Sequence, residues 1–180
     1  VVVLEIFTYP DERLKQISQP VQRVDDALRT FIAELEQTMR HSPGGVGIAA
    51  PQVGRFQRIV IVDVSAKPKI ANHGRMILVN PEILSWEGMV KGREGCMSVP
   101  DYTGNVMRAE RVTVSALDEQ GEPREYHCEG YEARAIQHEI DHLDGLLFLD
   151  RLVSRRTDLF RRKNYGEKKR RRGEGGATPR

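Results

Sequence analysis

The sequence is short of the residues that build disulfide-stapled or membrane scaffolds. Two cysteines, Cys96 and Cys128, in 180 residues make no disulfide framework, and a reducing compartment suits them better. No apolar run approaches the ~18 residues that a membrane-spanning helix needs. The opening stretch from Val1 to Phe7 is apolar, but it lacks a basic lead and a small-residue cleavage site. It is expected to be a strand or an anchored arm rather than a signal peptide. Neither charge sign dominates, since the net charge is only +2. Basic residues gather instead near the end, at Arg161–Lys163 and Lys168–Arg172. Internal repeats are absent.

What is present looks globular. Hydrophobic residues make up 39% and charged residues 30%, near the values of ordinary folded domains, and the length suits one domain with a real core. Between Asp25 and His41, Leu28, Phe31, Ile32, Leu35 and Met39 fall at helical spacing, with Asp25 as cap and Ser42-Pro43-Gly44-Gly45 as stop. A short helix start is expected at Pro10–Leu14. Arg58–Val64 reads as a buried strand. Ala66–Arg75 reads as a polar loop, and Met76–Leu84 as a strand broken at Asn80-Pro81. Alternation through Glu87–Lys91 and Arg111–Leu117, then Asp118–Gly121 and Arg124–Glu129, suggests strands and a hairpin. A second long helix starts near Gly130 and stops at Gly145. Strands in the middle with helices to either side argue an α+β fold. The expected organisation is one domain over residues 1–164 and a mobile basic tail over 165–180.

The most informative string is His138-Glu139-Ile140-Asp141-His142. On a helix, His at i and i+4 share a face and can close on one metal ion. Glu139 then lies close enough to handle the proton of a metal-bound water. A catalytic metal normally takes a third protein ligand. The metzincin pattern would place a His six residues after His142, where Phe148 stands. A thermolysin-like Glu is no better, because only Glu167 and Glu174 follow, both in the basic tail. Cys96 and Cys128 remain, and Cys96, in the segment bracketed by Gly95 and Pro100, is favoured. Such a His₂Cys site suits Zn²⁺ or Fe²⁺, which the residues do not separate.

Three separated motifs, Gly45-Val46-Gly47-Ile48-Ala49-Ala50-Pro51-Gln52, Glu94-Gly95-Cys96-Met97-Ser98 and Gln137-His138-Glu139-Ile140-Asp141-His142, resemble in order and spacing those of the peptide deformylases. The resemblance spans roughly Leu4 to Leu152. It implies mostly antiparallel strands around a central metal-binding helix. The implied activity is hydrolytic removal of the formyl group from the N-terminal formyl-methionine of new polypeptides, releasing formate. Carried over residue by residue, Cys96, His138 and His142 hold one divalent ion, Fe²⁺ in the cell, with Zn²⁺ or another divalent metal also accepted. Glu139 carries the proton, while the Gln52 amide and the Met97 backbone N–H stabilise the oxyanion. Met97 stands where Leu is commoner, which leaves a backbone role intact. Gly45 and Gly47 fit a backbone close to substrate, and Val46, Ile48 and Tyr131 line the methionine pocket. Glu94 is expected to pair with Arg108 and brace the Cys96 segment. Asp101-Tyr102-Thr103-Gly104 lacks an Arg that some relatives place near the peptide.

The implied partners are formylated nascent chains, with docking of Arg161–Arg172 on ribosomal RNA as the sharper reading of the basic cluster and a solvated end as the plainer one. The expected location is cytoplasmic, in bacteria, with an organelle as the alternative. Two rival functions are a protease of internal peptide bonds and a structural metal module closed by Cys128 or His127.

Overall fold

The computed structural model describes residues 1–162. The expected tail at 165–180, and the basic residues from Lys163 to Arg172, lie outside the described residues. Among the described residues, eight strands and two long helices follow in order: α1 (Asp26–His41), β1 (Gly47–Ala49), β2 (Ile59–Val62), β3 (Met76–Glu87), β4 (Val90–Cys96), β5 (Val99–Arg108), β6 (Arg111–Leu117), β7 (Pro123–Glu129), α2 (Gly130–Leu143) and β8 (Leu159–Arg161). One sheet has the order β1-β2-β3-β6-β7 and the other β4-β5-β8. All strand pairs within them are antiparallel. The fold is α+β.

The five-stranded sheet lies between the two helices, and β2 shows why. Its four residues Ile59-Val60-Ile61-Val62 are fully buried. Successive strand side chains point to opposite faces, so Ile59 and Ile61 join the α1 residues Leu28, Ile32 and Leu35. Val60 and Val62 join the α2 residues Ala133, Ile136, Ile140 and Leu143 on the other face. An unbroken apolar run is what a strand covered on both faces requires. A third cluster holds Cys96, Val99 and Val106 of the small sheet against Leu14, Leu147 and Phe148.

Local chemistry sets the ends of the helices. Asp25 accepts a 2.9 Å hydrogen bond from the Leu28 N–H and caps α1. Past α2, Gly145 has φ 74°, and a side chain there would collide with the Lys15 carbonyl. The expected start at Pro10 is instead a single 3-10 turn over Glu12–Lys15, capped by Asp11. The opening residues are an arm, not a strand: Val2 and Leu4 N–H groups donate to Gln37 and Thr38 of α1.

Asn80-Pro81 does not break β3. Asn80 takes φ 51° and the register with β6 shifts between Val79 and Glu82. Pro81 has no N–H for the ladder, so the strand bulges there and continues. Around Glu87–Lys91 there is a crossing between sheets rather than one strand. Glu87 ends β3, Gly88 turns with φ 73°, and β4 begins at Val90. The segment bracketed by Gly95 and Pro100 is a tight β4–β5 hairpin, with Cys96 paired to Val99 across Met97-Ser98.

Candidate active site

Two elements that are remote in sequence supply the centre. Helix α2 presents His138 and His142 one turn apart, their ring centroids 5.1 Å apart. The β4–β5 hairpin brings Cys96, whose Sγ lies 3.4 Å from Nε2 of His142. One ligand atom from each of Cys96, His138 and His142 falls within 4.8 Å of the other two, and all three residues are buried. Cys128 and His127 are not part of this group. Phe148 is 1% exposed and stacks near His138 with centroids 6.4 Å apart. It forms part of the wall behind the ligands rather than a fourth donor.

A buried charge network orients the centre. Nδ1 of His138 lies 2.9 Å from Oε1 of Glu94. An ionised carboxylate only accepts, so the ring proton sits on Nδ1 and Nε2 keeps its lone pair. Arg108 grips Glu94 through two hydrogen bonds of 2.8 and 2.9 Å and reaches Asp141 at 2.6 Å. Arg134 adds a 2.7 Å bond to Glu94, and Arg151 closes the network on Asp141. Burial opposes the charge on Glu94, but hydrogen bonds from Arg108 and His138 outweigh it and hold its carboxyl well below the usual range. The expected Glu94–Arg108 pair is therefore present and buried. Asp141 lies within the quoted His138–His142 string but carried no assigned role there, and Arg134 and Arg151 had no sequence pattern of their own to mark them.

The donor set fits a divalent cation. A thiol and two imidazoles suit Zn²⁺ or Fe²⁺. Burial, with His138 and Arg108 nearby, keeps His142 well below the ordinary histidine value, hence neutral. Burial also opposes a positive charge on His138, yet the neighbouring Cys96, Glu139 and Glu94 side chains favour one. Surroundings that hold a proton there also favour a metal cation. Glu139 completes the argument: its Oε1 is buried without a hydrogen-bond partner among the described residues, 3.9 Å from Nε2 of His142. Burial pushes its pKa up to about 7. A buried carboxylate oxygen left unpaired implies a ligand-side partner.

Gln52 sits opposite, 1% exposed. Its Oε1 accepts from the Ala49 N–H at 2.9 Å, which turns Nε2 toward Cys96 Sγ at 3.7 Å and Ser98 Oγ at 3.0 Å. A cavity of about 210 Å³ opens beside these groups, lined among others by Gly45, Val46, Gly47, Met97 and Tyr131. Gly47 is required by Glu139, because a Cβ there would stand 2.6 Å from Oε2. Gly45 packs on the end of α1, where a Cβ would collide with the Met39 carbonyl. Ile48 departs from its expected place in the wall. As the middle residue of β1 it points to the opposite face from Gly47 and Ala49, into the α1 cluster. Arg93, Arg134 and Arg162 add a basic rim that motif reading did not anticipate.

Residues 3–158 match the family model described as polypeptide deformylase. The peptide deformylase of Thermodesulfovibrio yellowstonii is 42% identical over 161 residues, covering 89% of this chain and 96% of the relative. That of Alkalilimnicola ehrlichii is 44% identical over 161 residues, covering 89% and 88%. Among solved structures, a peptide deformylase from Legionella pneumophila aligns with a TM-score of 0.78 at 38% identity, covering 99% of this chain and 100% of that one. A class I type b peptide deformylase from Acinetobacter baumannii with Met-Ala-Ser bound aligns with a TM-score of 0.78 at 40% identity, covering 84% and 99%.

Proposed function

The chain belongs to the peptide deformylase family, and from that premise we propose which of its residues carry the reaction. The activity is metal-dependent hydrolysis that removes the N-formyl group from newly made polypeptides. Our reading of the centre is that Cys96, His138 and His142 hold the single divalent cation, with Fe²⁺ as the ion in the cell. The observation that carries it is the convergence of these three ligand atoms beside the unpartnered Oε1 of Glu139. A cation in this place supplies Lewis acidity and makes water a nucleophile near neutral pH.

The chain's own groups do the rest. Glu139 accepts the proton of the attacking water and returns it to the leaving amine of methionine, as a general base and then a general acid. Gln52 Nε2 and the Met97 backbone N–H stabilise the negative charge that develops on the formyl oxygen. The hydrogen bond from Ala49 to Gln52 fixes the amide in advance, so no reorganisation is needed when charge appears. Gly45, Val46 and Tyr131 supply the wall against which the methionine side chain rests. A relative bound to Met-Ala-Ser makes formyl-Met-Ala-Ser a suitable substrate.

Formate release from that peptide tests the assignment. Glu139→Ala is expected to lower kcat by about 10²–10⁴ with metal still bound, and full activity in that variant refutes the mechanism. Cleavage of internal peptide bonds by the native protein would favour the protease reading instead. Metal analysis of protein prepared without oxygen decides between iron and zinc.

We further assign the catalytic domain to residues 1–164 and the reaction to the bacterial cytoplasm. The organisms of the relatives support that location, and no described helix is long and apolar enough to cross a membrane. Docking of the basic segment on ribosomal RNA is proposed from its Lys/Arg density. Arg161 belongs to β8 and Arg162 lines the active-site cavity, so the truncation that tests docking starts at Tyr165. Ribosome co-sedimentation should fall on truncation and with added salt; equal binding of both forms overturns the docking proposal.

A further inference from the structure

A second convergence of ligand-type side chains lies at the other end of α2. His73 comes from the loop before β3, Cys128 from the end of β7, and Glu132 from the first turn of α2, six residues before His138. One ligand atom from each lies within 4.8 Å of the others. Cys128 and Glu132 are buried, and the half-exposed His73 opens onto a cavity of about 490 Å³. That cavity shares no lining residue with the active-site cavity. Nothing in the deformylation mechanism uses these three side chains.

We propose that His73, Cys128 and Glu132 form a second cation site for Zn²⁺ or a comparably soft divalent ion, with its fourth position open to the cavity. The geometry is close to what such an ion needs. A tetrahedral zinc site sets a thiolate sulfur and an imidazole nitrogen about 3.6 Å apart. Cys128 Sγ and His73 Nδ1 are 3.8 Å apart, against 3.4 Å between Cys96 and His142. Glu132 is already oriented, because Oε2 accepts the His73 backbone N–H at 2.7 Å and leaves Oε1 facing the ring. Oε1 and Nδ1 are now 2.6 Å apart, a hydrogen bond that must open by about 0.7 Å to admit an ion. His73 can provide that movement, since it sits in a loop outside the strands and is tied to α2 mainly through Glu132.

Charge argues the same way. Burial, and then Glu132 beside it, pushes the Cys128 thiol well up, so thiol and carboxylate are not both anionic without compensation. A divalent ion supplies that compensation; the thiol proton passes to solvent on binding, and Nδ1 gives up its proton or adopts the other tautomer. One thiolate, one imidazole and one carboxylate favour zinc over the oxygen-seeking Mg²⁺ or Ca²⁺. Bound there, the ion would tie the 66–75 loop to the start of the helix that carries the active centre.

The test is metal stoichiometry on the full chain. After equilibration with Zn²⁺ and removal of excess, native protein is expected to hold two ions per chain. His73→Gln and Cys128→Ser should each hold one and keep native formate release. With Co²⁺ as probe, Cys96→Ser should retain a thiolate-to-cobalt absorption band that disappears when Cys128→Ser is added. His73 is exposed enough that its substitution leaves folding intact, so a misfolded Cys128 variant does not decide the result. One ion per native chain overturns the proposal. So does a content of two that neither His73→Gln nor Cys128→Ser lowers. The result does not depend on which residues carry deformylation.

Discussion

Glu94 Oε1 lies 2.9 Å from Nδ1 of His138 while Arg108 holds both oxygens of the same carboxylate. The hydrogen bond sets the tautomer of a metal ligand, and the ion pair sets the position of the carboxylate. Glu94→Gln keeps the shape but places an amide where two oxygens were needed. Metal affinity should fall about 10–100-fold, measured by competition with a chelator, while circular dichroism confirms that the fold persists. Unchanged affinity would show that the contact does not tune the ligand.

Gly47 and Glu139 make a second exacting pair. A Cβ at position 47 would stand 2.6 Å from Oε2 of Glu139, and the carboxylate would have to move. Gly47→Ala is therefore expected to lose about a hundredfold in kcat, the scale of an ångström-sized misplacement, with one equivalent of catalytic metal retained. A variant with native kcat would mean that Glu139 has room to spare.

Gln52 should act on the transition state more than on binding. Gln52→Leu removes both the amide donor and the acceptor of the Ala49 N–H. We expect kcat to fall by about 10²–10³, as for loss of one oxyanion donor, with KM little altered. A rise in KM at constant kcat would instead make Gln52 a substrate-binding group.

The pH dependence of stability should include a step from Glu36 on α1. Hydrogen bonding from Arg75 first, and then Arg40, lowers its carboxyl below the ordinary 4.5 despite burial. Below 4.5 the unfolded chain binds the proton and the folded chain does not, so this contribution is present above 4.5 and lost as pH falls through the folded value. Half-exposed ion pairs are weak, roughly 0.2–1 kcal/mol, which in a domain of this size is up to about 4 °C of melting temperature. Melting curves of native protein and Glu36→Gln should converge as pH drops from about 5 toward 3. A constant gap across that range would rule out the linkage.

Several parts of the fold were legible because local chemistry is decisive there. The periodic apolar face of α1, with Asp25 as its cap, needs no tertiary information. The β6–β7 hairpin follows from alternation around Asp118–Gly121, and α2 from its apolar spacing and Gly145. Other parts were hidden. β5 and β8 have mixed burial, so their pattern carries no clear period, and β8 meets β5 only across the intervening β6, β7 and α2. Asn80-Pro81 looked like a stop because Pro usually ends a ladder, yet the Asn80 side chain pairs with the Val21 backbone and the strand continues.

The sequence alone determined the chemistry on offer. It holds two His one helical turn apart with a Glu between them, a Cys in a short segment bracketed by Gly95 and Pro100, and a Gln after a glycine-rich stretch. Spacing along one helix is a local property, so residues 138–142 could be read without coordinates. Cys96 was already favoured over Cys128 from the sequence; only the tertiary structure decided that the Glu94 carboxylate braces His138, and that Cys128 belongs to a different cluster with His73 and Glu132. Those choices depend on how β4, β7 and the loop before β3 pack against α2, and packing between remote segments is set by the whole core rather than by any short string. The same reason moved Ile48 to the far face of β1 and brought Arg162 to the cavity rim.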